Sequence, residues 1–142
     1  MKKWGLIIML MILMAGCAHQ NPPSFEKGVF VDFAKHQNDF LAADDILGKL
    51  RHNLEALVAK DKDEFKADLM EGHDTPGNMD YVENNYEYKI LDMDVATYDP
   101  ETRRITISFP VQVLIDNKVE DRRITYTFEP DKNGEWKIAL ID

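Results

Sequence analysis

At 142 residues, with 26 acidic against 17 basic side chains, the chain carries a formal charge of −9. Such a surface is repelled by phosphate backbones and anionic head groups, which argues against nucleic-acid binding and against membrane adsorption through the folded part. The single cysteine, Cys17, excludes an intrachain disulfide, so a chain long enough for one domain has to be held by packing alone.

Lys2 and Lys3 precede an apolar run from Trp4 to Met14, and Ala15 and Gly16 bring small residues up to Cys17. That is a charged n-region, an apolar h-region and a small-residue cleavage site. The run falls short of the about 20 apolar residues that a membrane-spanning helix needs. The stretch Leu13-Met14-Ala15-Gly16-Cys17 resembles the lipobox of bacterial lipoprotein signal peptides, with Met14 where those signals usually carry Leu. The resemblance implies cleavage between Gly16 and Cys17, removal of residues 1–16, and a palmitate-type diacylglycerol anchor on Cys17. It also implies an extracytoplasmic location, lipid-anchored to a bacterial cell membrane. Two acyl chains give stable attachment where one gives only marginal binding. Losing Lys2 and Lys3 would leave 15 basic against 26 acidic residues, and the mature chain would be more acidic still.

Residues 17–28 read as a lipidated tether. Pro22-Pro23 is extended and nothing apolar repeats. The eleven residues after Cys17 reach at most about 36 Å, which keeps the folded part, residues 29–142, close to its membrane.

Residues 29–41 fit either a helix face through Phe30, Phe33 and Phe40 or a short strand; the helical reading is preferred. Phe40, Ala43, Leu47, Leu50, Leu54 and Leu57 then form one helical stripe, opposed by Asp45, Lys49, His52 and Glu55. Gly48 inside it costs about 1 kcal/mol relative to alanine and marks a close neighbour. A second helix restarts at Asp61, with Glu64 positioned for a capping box, buries Phe65 and Leu69, and ends at Gly72. Residues 72–85 read as a loop around Thr75-Pro76-Gly77-Asn78.

From Tyr86 the period becomes two. A phase slip at Ile90-Leu91 predicts a one-residue bulge, after which Leu91, Met93 and Val95 continue the buried face. A second strand buries Ile105, Ile107, Phe109, Val111, Val113 and Ile115, with Pro110 requiring an edge or another bulge. Asp116-Asn117 turns the chain into a third strand through Ile124, Tyr126 and Phe128. Asn133-Gly134 turns it again, into a last strand with Trp136, Ile138 and Leu140 inward. Helices followed by an antiparallel meander with one apolar face predict an α+β layer pair.

The run Leu54-Glu55-Ala56-Leu57-Val58-Ala59-Lys60-Asp61, followed by a short helix, resembles the opening of the nuclear-transport-factor-two-like (cystatin-like) superfamily. Gly134-Glu135-Trp136-Lys137-Ile138 resembles its Trp-bearing final strand. The resemblance implies N-terminal helices packed on a curved sheet of about four strands, forming a cone.

Enzymes of that superfamily place an Asp, His or Tyr inside the cone, which makes His36, His52, His73, Tyr88 and Tyr126 the candidates. The histidines fall on polar or loop positions and the tyrosines on apolar strand faces, so all five read as structural. Asp92-Met93-Asp94 and the short acidic runs at Asp61 and Asp131 lack the ligand series of a calcium loop. Capping and turn formation account for them, and no metal or cofactor is expected. Thr106, Ser108, Gln112, Arg123, Thr125, Thr127 and Lys137, joined by Asp92 and Asp94, share the sheet face away from the helices and form a candidate surface for a protein partner or a second copy. The leading functional expectation is a non-enzymatic accessory lipoprotein with a partner-binding domain. The alternative is a small cone-shaped enzyme or ligand-binding domain using an interior Tyr or Asp.

Overall fold

The computed structural model describes residues 24–42 and 45–142. The signal segment, Gly16, Cys17, most of the tether and Ala43 lie outside the described residues. Three helices pack on one face of a six-stranded mixed sheet. The helices are α1 (Ile46–Ala59), α2 (Lys62–Ala67) and α3 (Pro76–Glu83); the strands are β1 (Gly28–Val29), β2 (Glu87–Ile90), β3 (Val95–Asp99), β4 (Arg104–Ile115), β5 (Lys118–Pro130) and β6 (Trp136–Ile141). The sheet runs β1-β2-β4-β5-β6, with β3 pairing β4 beyond β2. The expected four-strand meander is therefore a six-strand mixed sheet. The extra strands are β1, which runs parallel to β2, and the division of the first meander strand into β2 and β3.

Residues 29–41 are not a helix. Gly28 already pairs with Lys89 and Val29 with Ile90, and turns follow, in which Phe33 and Leu41 are buried. Helix α1 starts at Ile46, so Phe40 leaves the predicted stripe and stacks on Tyr98 at a centroid distance of 6.1 Å. Ile46, Leu50, Leu54 and Leu57 have no exposed surface and share one core with Ile107 and Phe109 of β4, which are equally sealed. The neighbour at Gly48 is the exposed Asp45 carboxylate, which a Cβ there would push aside.

The end of α1 carries an unusual residue. The Lys60 N–H bonds Leu57 O at 3.2 Å and the Asp61 N–H bonds Ala56 O at 3.0 Å, a Schellman closure whose left-handed position (φ 60°) is occupied by lysine. Glycine is the usual occupant, and a side chain there costs on the order of 1 kcal/mol. Asp61 caps α2 as expected, its carboxylate accepting from Glu64 N–H at 3.1 Å. The return half of the box is missing, because the Glu64 carboxylate lies 3.0 Å from His52 Nε2 instead. Helix α2 ends at Ala67, well short of Gly72, and residues 68–70 then pair with the β6 edge: Ile138 N–H bonds Asp68 O and Met70 N–H bonds Ile138 O. That contact finishes an otherwise open edge.

Residues 76–83, expected as loop, form α3. Thr75 is its N-cap and Pro76 its first residue, a helix-start pair that the turn-like Pro-Gly-Asn composition disguised.

Two register breaks shape the sheet. Ile90 pairs with Val111 while Val95 pairs with Ser108. The outer segment therefore carries two more residues than β4 over the same span, not the single one expected. Ala96 and Tyr98 take the inner face, and Val95 is 41% exposed. Pro110 sits opposite this break. Its carbonyl accepts from Leu91 N–H at 3.0 Å, so the N–H that proline lacks falls on the irregular side, where no regular ladder bond is lost. The second break is at β6: Phe128 pairs with Ile138 and Thr127 with Leu140, leaving Ala139 as the extra residue. The phase flips there, so Leu140 is 44% exposed and Ile141 is buried, the reverse of the expected alternation.

Asn78 holds that bulge. Its side-chain amide donates to His73 O at 2.8 Å and to Ala139 O at 3.3 Å, and its carbonyl oxygen accepts from Ile141 N–H at 2.9 Å. The His73 ring bonds Ala139 O from the other side at 2.7 Å. A loop histidine and a turn-type asparagine thus lock α3 to the last strand.

Candidate functional site

A cleft of about 540 Å³ lies between α3 and residues of β2, β4, β5 and β6. Its apolar floor is Val111, Val113, Ile124 and Ile141, with Tyr81 and Tyr86 on the walls and Tyr88 deeper in. Asp80, Arg122 and Asp142 also line it. A hollow of about 320 Å³ lies on the far side of Asn84 and Tyr86, which line both.

Lys60 lines the smaller hollow and is bonded to Asn84, which lines both. Its ammonium donates to Tyr81 O at 3.0 Å and to Asn84 Oδ1 at 2.9 Å, and sits 4.5 Å from the centre of the Tyr88 ring. Asn84 passes the chain on, its amide donating to the Tyr88 hydroxyl at 2.7 Å. Burial lowers the Lys60 ammonium to about 8, with Asp80 working against the drop. Burial likewise pushes the Tyr88 phenol up to about 12, partly offset by the Asn84 bond. Tyr81 is raised by burial and then by the fields of Asp142 and Asp80. The Tyr81 and Tyr88 phenols are therefore neutral hydrogen-bonding groups across the physiological range.

The sequence-predicted residues scatter. His36 bonds Asp92 at 2.8 Å. Desolvation works to raise the Asp92 carboxyl, but the His36 side chain and the Asp32 and Met93 N–H groups outweigh it and hold it low. Asp92 is thus a clasp for the segment after β1. Asp94 points instead to Arg123, in a paired contact at 2.7 and 2.6 Å. His52 bridges α1 and α2 through Asp68 at 2.6 Å and Glu64; the Asp68 hydrogen bond is the main reason its pKa is raised. His73 belongs to the β6 clasp. Of the histidine and tyrosine candidates only Tyr88 lines the cleft; Arg123, from the candidate sheet face, lines it too.

Tyr126 is fully buried, makes an edge-to-face contact with Phe109, and its hydroxyl has no hydrogen-bond partner. A sealed, unpaired hydroxyl costs about 1–3 kcal/mol. Tyr126→Phe is therefore expected to leave stability unchanged or raise it by up to about 2 kcal/mol. An unfolding free energy from denaturant titration lowered by more than about 1 kcal/mol would mean that the hydroxyl has a buried partner.

On the outer sheet face the candidate residues come together but spend their polarity on one another. Ser108 and Thr125 hydroxyls are 2.9 Å apart, Gln112 donates to Asp121, and Thr106 pairs across from Thr127. Arg123 is neutralised by Asp94, and Lys137 lies 3.1 Å from Glu135.

Lys60, Tyr81, Asn84, Tyr86 and Arg122 were not singled out from the sequence. One signal was available for Lys60: a helix ending on Lys-Asp, with no glycine or asparagine at the left-handed position. The others come from α3 and from strand ends whose convergence depends on the two register breaks.

No family model matches the chain, and no curated protein matches it. Among solved structures the chain is similar to Rd1NTF2_05, an NTF2-like designed protein bearing five substitutions. The identity is 13%, the TM-score is 0.43, and 74% of this chain and 98% of that chain are covered.

Proposed function

We propose that this chain is an extracytoplasmic lipoprotein, anchored to a bacterial membrane through an acylated Cys17. Its α+β domain, a cone of the nuclear-transport-factor-two-like kind, is a non-enzymatic binding module with the cleft beside α3 as its binding surface. The observation that carries this reading is how the polar groups of the cleft are engaged. Asn84 and Tyr88 are bonded into one chain with Lys60 of the neighbouring hollow, and burial raises the Tyr81 and Tyr88 phenols further from ionisation. The cleft therefore offers aromatic surface and fixed hydrogen-bonding groups on a rigid wall, which suits recognition better than proton transfer. No described helix is long and apolar enough to cross a membrane, and the anchoring is assigned to the lipid.

A second reading, a small enzyme, draws on Lys60 being brought to about 8 beside the smaller hollow. Two of the three ammonium hydrogens already have acceptors there, which leaves little for a substrate.

The anchor is tested by expressing the full chain and Cys17→Ser in a bacterial host, with mass spectrometry of the membrane fraction. The natural chain is expected to yield a mature product beginning at an acylated Cys17. The variant is expected to remain unprocessed or to leave the membrane. A mature-sized variant that stays membrane-bound would end the lipoprotein reading.

A further inference from the structure

The charges around the cleft do not balance. Arg122 is spent on Glu120, with Nε and Nη2 at 3.1 and 2.7 Å from the same carboxylate oxygen. Arg123 is spent on Asp94 through both terminal nitrogens. Asp80 and Asp142 have no ion-pair partner among the described residues, and both bear on the Tyr81 phenol, helping to raise it. The cleft is thus a tyrosine-walled hollow with two carboxylates that make no ion pair; the Lys60 ammonium feels Asp80, and the field of Arg122 opposes theirs at Tyr81. The rings of the cleft already receive cations: the Lys60 ammonium lies 4.5 Å from the Tyr88 ring centre, and the Arg122 guanidinium carbon 5.6 Å from that of Tyr86. Aromatic faces backed by carboxylates attract ammonium groups, most strongly where water is displaced. The chain's formal charge of −9 draws cations toward the mouth from a distance.

We propose that this cleft binds an organic cation, an ammonium group carried on a small apolar body. The inference rests on the binding-module reading and specifies its ligand class. The apolar body lies between the half-buried rings of Tyr81 and Tyr86, over a floor in which Val111, Val113 and Ile124 are themselves buried, while the cationic end faces Asp80 and Asp142. The volume of about 540 Å³ suits a small organic molecule.

The test uses the full chain in detergent micelles and three probes: choline, its uncharged carbon isostere 3,3-dimethylbutan-1-ol, and benzoate. Calorimetry gives the affinities, and NMR of the tyrosine rings reports where each probe sits. Choline is expected to bind saturably at Tyr81 and Tyr86, at least about tenfold more tightly than the isostere. The double variant Asp80→Asn, Asp142→Asn is expected to weaken choline about tenfold without moving the melting temperature. Equal affinity for choline and the isostere would overturn the cation assignment and leave the cleft standing as a binding site. Preference for benzoate would overturn it in favour of Arg122 as an anion anchor. Saturable binding of none of the three at those rings would overturn both the cation assignment and the binding-module reading.

Discussion

Deleting residues 135–142 is expected to abolish cooperative unfolding altogether. The deletion removes Ile138 and Ile141, both buried, and takes Trp136 from the edge-to-face contact with Tyr98. Truncating each buried isoleucine alone costs about 2–5 kcal/mol, against a total stability on the order of 5–15 kcal/mol. The loss goes beyond packing. Without β6, the β5 edge is stripped of its ladder from Tyr126 to Pro130, and the bonds between residues 68–70 and Ile138 have no partner. A sharp thermal transition in the truncated chain, followed by near-UV circular dichroism, would show that the helices and the β4–β5 hairpin fold without the last strand.

The second large effect comes from one amide. Asn78→Ala leaves the buried Ile141 N–H without its acceptor and takes a donor from Ala139 O and His73 O. Buried backbone groups left unpaired cost about 1–3 kcal/mol each, so a loss of about 2–4 kcal/mol is expected. For a domain of this size that corresponds to a fall in melting temperature on the order of 10 °C. Amide exchange should quicken first at Ile141 and its β5 partner Tyr126, because the clasp joins α3 to that end of the sheet. A shift below about 1 kcal/mol would mean that His73 alone fixes the bulge, through its own bond to Ala139 O.

The long amphipathic helix, the alternating faces of β4 and β5 and the Asp116-Asn117 and Asn133-Gly134 turns were readable from the sequence. Each is a local pattern, written in the residues that adopt it. Asp116 and Asn117 have φ of 49° and 62°, which is what a tight hairpin turn demands of them. What escaped was decided by distant partners. Ala139 bulges because His73 and Asn78, far back in the chain, bond its carbonyl; nothing in Lys137-Ile138-Ala139-Leu140 announces the flip that exposes Leu140. Helix α3 was missed for a different reason, since Pro-Gly-Asn signals a turn more loudly than Thr-Pro signals a helix start. The cleft was hidden for the same reason as the bulge. Tyr81 looked like an unremarkable loop residue, and Tyr86 like the first residue of a strand, until α3 placed both in one cleft with Val111 and Ile124.

The lysine at the end of α1 has an implication for anyone engineering this domain. Position 60 is shaped for glycine, and a procedure that ranks substitutions by backbone comfort would replace Lys60 early and gain stability for it. The same exchange would take away the ammonium that ties Tyr81 to Asn84. A version hardened at this position would therefore have a looser wall beside α3, where Asn84 holds the Tyr88 hydroxyl.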